Sequence, residues 1–281
     1  MEFPDIIKVM DSHKRAKISK YPVRSNWASM IGDICLRRLV YHRTHWDKVP
    51  SHSVDLQYIF DEGHEQEASL GIELQKALRI VGGRFVGQNE SVQIPGTEIS
   101  GKIDGKILLG QVEYPVDIKS CDPNIWERIN TIHDFNKYPW TMKYPAQILI
   151  YMYALKKEGG MLILKNKSKG RLKIFTFELK DYQDEIKKLL QKDKDISKHL
   201  KNKTFPDKIN DPKVCEICSF QDICQPDFKV ETKELVKDPK FQKSLERWFE
   251  LKSLMTEYTK LDNEIKYKVK EKKLYLRQLY Y

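Results

Sequence analysis

The chain has no run of about 18 consecutive apolar residues, so no membrane-spanning helix is expected. Its first residues, Met1-Glu2-Phe3-Pro4-Asp5, lack a basic head followed by an apolar core, so no secretory signal is expected either. These absences give a cytoplasmic expectation, or host cytoplasm for a virus- or plasmid-borne gene. Thiols stay reduced there. Cysteine is scarce, five in 281 residues, and in that compartment the five read as metal or cluster ligands rather than disulfides. Acidic residues are in deficit: 40 Asp and Glu stand against 50 Lys and Arg, a net charge of +10 and a pI of about 9.1. Such an excess suits a polyanionic partner contacted through its phosphates. The lysines are dispersed, however, and charge alone does not name the partner. A hydrophobic fraction of 40% with 32% charged residues excludes a disordered chain. The length suits one large domain, or a domain with an extension.

What is present centres on one stretch, Ser100-Gly101-Lys102-Ile103-Asp104-Gly105, followed by Pro115-Val116-Asp117-Ile118-Lys119. Residues two apart on a strand share a face, so Asp117 and Lys119 point together while Val116 and Ile118 turn the other way. If the two runs pair as neighbouring strands, Asp104 joins them. Two carboxylates and an ammonium at one spot are costly in a core unless paired or metal-bound. They suit a divalent metal that activates water against a phosphate.

This pattern resembles the PD-(D/E)XK nuclease superfamily. Two further matches, His64 in Glu62-Gly63-His64-Glu65 and Gln147-Ile148-Leu149-Ile150-Tyr151, are similar to its RecB-like branch, which includes CRISPR-associated nucleases. The resemblance covers residues 24–228. It implies an α/β fold with a restriction-endonuclease-like core, a central mixed sheet flanked by helices. It also implies a metal-dependent DNA exonuclease acting on ends or single strands, in recombination, repair, replication or CRISPR-type adaptation. His64, Asp104 and Asp117, with the Ile118 carbonyl, would hold magnesium or manganese. Lys119 would position water, and Gln147 and Tyr151 would orient the lysine and the substrate phosphate. Without the resemblance, His64 reads as a surface histidine on a polar face, among Asp61, Glu62, Glu65 and Glu67.

Along the chain, residues 1–23 form a basic arm or a first short helix. A helix is expected from about Ser25 to Thr44, capped by Ser25 or Asn26, and carrying Cys35, Arg37 and Arg38. A second helix spans 54–80. Alternating runs at 84–94, 99–109 and 111–120 predict a three-stranded meander. Glu90 is expected to face solvent. Residues 121–144 lack simple periodicity. Trp126, Tyr138 and Trp140 there, with Arg37 and Arg38, are candidate nucleic-acid contacts, the aromatics stacking on unpaired bases or packing onto the domain. Cys121 reads as an ordinary small core residue. A helix at 145–158, a strand pair at 161–165 and 171–179, and a helix at 181–200 follow.

Cys215, Cys218 and Cys224 form a C-x2-C-x5-C element, with Cys35 the candidate fourth thiolate. Four thiolates hold zinc or an iron–sulfur cluster, and spacing does not choose between them. The resemblance favours a structural 4Fe-4S staple. Residues 229–281 read as an amphipathic extension, a helix packed back on the domain or one that docks a partner, a second copy or DNA. A basic stretch, Lys270–Arg277, follows the helix. The rival function is a catalytically silent DNA-binding or scaffold subunit of a helicase or integrase complex.

Overall fold

The computed structural model describes residues 3–209, 211–224 and 239–272. The chain divides into two compact units, residues 1–227 and 228–281.

The first unit begins with helix α1 (Ile6–Lys17), started by the Asp5 side chain accepting from the Lys8 amide. It lies on a long helix, α3 (Val54–Leu78), where Lys14 and Lys17 meet Asp61 at 2.6 and 3.0 Å. Residues 1–23 therefore share a unit with the region the resemblance covers. Two lysines and Gln57 hold the Asp61 carboxyl well below the usual carboxylate range.

Between them the single helix expected over 25–44 is corrected. Asn26–Trp27 form a short strand, β1, and only Leu36–Thr44 are helical, as α2. Cys35, not Ser25 or Asn26, caps α2, its sulfur accepting from the Arg38 amide. β1 is extended because its side chains are already engaged. Asn26 donates to the buried Asp193 carboxylate at 2.6 Å and accepts from Arg43 at 2.8 Å.

The expected meander is also corrected. Its residues divide into β2 (Arg84–Val86), β3 (Glu90–Gln93), β4 (Ile99–Ile103), β5 (Gly105–Leu109) and β6 (Val112–Cys121), shared between two sheets. The small sheet has order β1-β4-β3, with β1 parallel to β4. After β6 come α4 (Pro123–Arg128), α5 (Lys143–Ala154), β7 (Gly159–Asn166), β8 (Leu172–Glu178) and α6 (Gln183–Asn202). The large sheet has order β2-β5-β6-β7-β8, with only β6 and β7 parallel. It is the mixed α/β arrangement expected, with helices on both faces.

The alternation of β6 decides what each face holds. Val116 and Ile118 pack with Phe85, Ile107, Ile163 and Leu70 of α3. On the opposite face Leu162 and Leu164 of β7 meet Ile148, Leu149 and Met152 of α5. Asp117 and Lys119 belong to this second side, under α5. A third cluster joins α2, α5 and α6 to the small sheet through Val40, Ile99, Ile103, Ile150 and Ile196.

Two single turns close the described part of this unit, α7 (Pro212–Cys215) and α8 (Gln221–Cys224). The second unit is described as one helix, α9 (Pro239–Lys272), whose Phe241, Leu245, Met255, Tyr258, Leu261 and Ile265 are exposed. Residues 273–281, including the end of the basic stretch, lie outside the described residues. Among the described residues no helix is long and apolar enough to cross a membrane.

Candidate active site

Asp104 stands where the chain passes from one sheet to the other. Ile103 is the last residue of β4 and pairs with Glu90, while Gly105 opens β5 and pairs with Val116. The β5–β6 ladder starts at that pair, so the Ile118 amide lies beyond it. Asp104 accepts from that amide at 2.6 Å, which fixes its carboxylate against β6.

On β6, Lys119 Nζ is 2.8 Å from Asp117 Oδ2 and 4.0 Å from Asp104 Oδ2. Asp117 is wholly buried, and neither of its oxygens receives an aligned hydrogen bond. Lys119 is thus at ion-pair distance but off the line of a donor bond. Burial pushes the Asp117 carboxyl up to about 7; Lys119 opposes the shift and Asp104 adds to it. Burial works against the lysine's charge too, but the two carboxylates override it and hold the ammonium above its ordinary range.

α5 covers the pair. Gln147 donates to Tyr151 Oη at 3.2 Å, and Tyr151 donates to the Lys102 carbonyl at 2.7 Å. Tyr151 thereby ties α5 to β4. The α5 ring facing Lys119 is Tyr144, its centroid 5.7 Å from Nζ. The sequence reading missed Tyr144, although it lies three residues before Gln147 and so on the same helical face. Gly101 is small because Tyr151 fills the space beside it, and Gly105 because the Phe85 ring does.

α3 supplies the outer wall. Exposed His64 borders two clefts, one of about 590 Å³ with Glu67 and Asp104, the other of about 690 Å³ with Lys102, Gln147 and Tyr151. Glu67 is the further carboxylate of the site. It follows His64 by three residues, and that spacing is the signal that could have singled it out. Burial, then Asp104, pushes its carboxyl up to about 7, with Lys119 opposing. Glu90, by contrast, is exposed and pairs with Lys106 at 2.8 Å. Among the described residues, no group of three or more His, Cys, Asp or Glu side chains stands close enough to grip one metal ion.

The sequence profile of the PD-(D/E)XK nuclease superfamily matches residues 23–225. The chain belongs to this superfamily. A search among curated proteins finds no match. Among solved structures the chain is similar to SSO0001, with 14% identity, 79% of this chain and 98% of that chain covered, and a TM-score of 0.47. It is also similar to LHK-Exo in complex with dAMP, at 16% identity, 63% and 95% coverage and a TM-score of 0.34. A further structure of that alkaline exonuclease, from Laribacter hongkongensis, matches at 17% identity over 63% and 95% of the two chains, with a TM-score of 0.31.

Elsewhere in this nuclease-family domain, Cys35, Cys215, Cys218 and Cys224 line one small pocket together with Arg38 and Tyr41. All five cysteines are free, and Cys121 packs apart from the four, against the core under α5. Burial raises the Cys35 and Cys215 thiols.

Three of the expected nucleic-acid contacts have internal partners instead. Arg38 is buried and paired with Asp33. Arg37 donates to the Pro206 carbonyl at 2.6 Å and lies over Tyr41 and Phe205. Trp126 donates to the Leu164 carbonyl at 3.1 Å under the Lys173 ammonium. Tyr138 and Trp140 form a tilted ring pair 5.0 Å apart, with Trp140 exposed.

Proposed function

We propose that the protein is a metal-dependent DNA nuclease, an exonuclease that hydrolyses phosphodiester bonds at ends or in single strands. The observation that carries this reading is the convergence of Asp117, Asp104 and Lys119, two carboxylates facing one ammonium, with Asp117 wholly buried. The carboxylate charge that one ammonium leaves uncompensated suits a further cation. Hard oxygen donors suit magnesium or manganese. Asp104 and Asp117 would hold the ion, with His64, Glu67 and the Ile118 carbonyl as further donors.

Such an ion supplies Lewis acidity toward the phosphate and lowers the pKa of bound water. Lys119, always charged in this setting, donates to the attacking water or to the phosphate oxygen that gains charge. Asp117 orients that lysine. Gln147 and Tyr151 hold α5 over β4, and so fix the depth of the cleft. The four thiols line one pocket without standing at ligand spacing, and an iron–sulfur cluster, with zinc the alternative, would draw them together as a staple. Phosphodiester hydrolysis moves no electrons, so the role of the staple is structural.

The test is cleavage of 5′-labelled, 3′-labelled and circular single-stranded DNA with magnesium, manganese or chelator. We expect metal-dependent loss of linear DNA, reduced at least ~100-fold in Asp117→Ala and in Lys119→Ala with DNA binding largely kept. Cleavage retained in both variants would sink the site assignment. Loss of circles as well would make the activity endonucleolytic at the same residues. No cleavage with any ion, despite tight DNA binding, would instead support the silent scaffold reading, for which the exposed apolar row of α9 offers a docking face.

A further inference from the structure

A second groove opens beside the active-site cleft. It measures about 580 Å³ and is built by the connection after α1, by β1, by the turn after α2 and by the first turns of α3. Tyr21, Trp27, Trp46, His52 and Phe60 are among its lining residues. Tyr21 and Phe60 are 60% and 45% exposed, so both side chains are accessible where they line it. Tyr21 and Trp27, with centroids 6.3 Å apart, border this groove and also the cleft that holds His64, Lys102, Gln147 and Tyr151. Three hollows thus adjoin in series: the groove and the cleft share Tyr21 and Trp27, and the cleft shares His64 with the hollow that holds Asp104.

Its charge is as telling as its rings. Among the described residues, no Asp or Glu lines the groove or the adjoining cleft. Lys20 and Lys102 are the cations, one in each compartment. His42, behind Trp27, is held neutral at neutral pH because burial, then Arg38, lowers it to about 4. A set of accessible aromatic rings with two lysines and no carboxylate suits unpaired bases, whose rings stack while their phosphates stay near the cations. A duplex keeps its base faces stacked inside and has none to offer those rings.

We infer that this groove is the single-strand track of the enzyme, in which successive bases stack on Phe60, Tyr21 and Trp27 on the way to the cleft. The inference rests on the nuclease reading and adds to it the form of the substrate and the side from which it enters.

Binding in chelator tests it independently of cleavage. A labelled single-stranded oligonucleotide and a duplex of the same length are titrated against wild type, Tyr21→Ala, Phe60→Ala, Tyr21→Phe and Phe60→Tyr. Each alanine variant is expected to weaken single-strand binding by at least about fivefold, the low end of base stacking, with duplex binding unchanged. The ring-for-ring variants are expected to keep wild-type affinity. An oligonucleotide made abasic throughout is expected to bind wild type no better than it binds the Tyr21→Ala, Phe60→Ala double variant.

Alanine variants that hold single strands as tightly as wild type would overturn the track, and so would equal losses on single strand and duplex. Metal-dependent cleavage that persists with the rings removed and binding unaltered refutes the track alone. Ring-dependent binding with no cleavage under any ion refutes the nuclease reading alone.

Discussion

Asp117 carries a conflict that can be measured. Its folded pKa is raised to about 7 by burial, above the ordinary aspartate value of 3.8. Between roughly pH 4 and 7 the folded, metal-free protein keeps a proton that the unfolded chain has lost. The folded state binds more protons there, so stability falls as pH rises through that window and levels off above it. The loss is on the order of a few kcal/mol. Denaturant melts in chelator should show wild type losing stability relative to Asp117→Asn from pH 4.5 to 7.5, and saturating manganese should remove that loss. Parallel profiles for the two proteins would mean that Lys119 alone keeps Asp117 charged in the folded state. Much of this site was legible in the sequence. Period-two alternation alone puts Asp117 and Lys119 on one face, and the acid ending the preceding run is the Asp104 that joins them. Glu67 and Tyr144 were hidden for a different reason. Each lies among other polar or aromatic residues, and only the placing of α3 and α5 around β6 selects them. For Arg38 and Trp126 the sequence was silent on their internal partners, Asp33 and the Leu164 carbonyl, because a charged or aromatic side chain does not reveal what it packs against.

At the level of elements, helices with long apolar faces were found within a few residues of their expected bounds, α3, α5 and α6 among them. The failures came where tertiary contacts outweigh local pattern. Residues 99–109 alternate as one strand, yet the chain leaves one sheet and joins another at Asp104. Residues 25–35 have no strand signature, and β1 exists because Asp193 of α6 and Arg43 of α2 engage Asn26. The join between α5 and β4 is tight. A methyl at Gly101 would stand 2.6 Å from Tyr151 Oη and 2.9 Å from the Ala28 methyl. Gly101→Ala should therefore push Tyr151 off the Lys102 carbonyl and cost about 1–3 kcal/mol, the usual scale of overpacking. Denaturant unfolding reads this directly. An unchanged midpoint would mean that α5 can lift away from β4 without loss.

Over the whole molecule, the thiol pocket joins residues from opposite ends of the first unit, Cys35 before α2 and Cys215, Cys218 and Cys224 around α7 and α8. Closing a loop of that length removes much freedom from the unfolded chain. Cys218→Ala is expected to lose bound iron and soluble yield together, read by metal analysis and by the brown colour of the purified protein. A stable, fully active, iron-free variant would refute the staple. The basic charge, dispersed along the sequence, takes on meaning only in three dimensions, where among the described residues no acid lines the aromatic groove or the cleft beside it.

The position of Asp104 reaches beyond the reaction itself. The residue belongs to neither sheet, while its two chain neighbours are pinned one in each, Ile103 to Glu90 and Gly105 to Val116. Any slide of one sheet against the other is therefore felt at its carboxylate, which makes the junction a gauge of how the two sheets sit together.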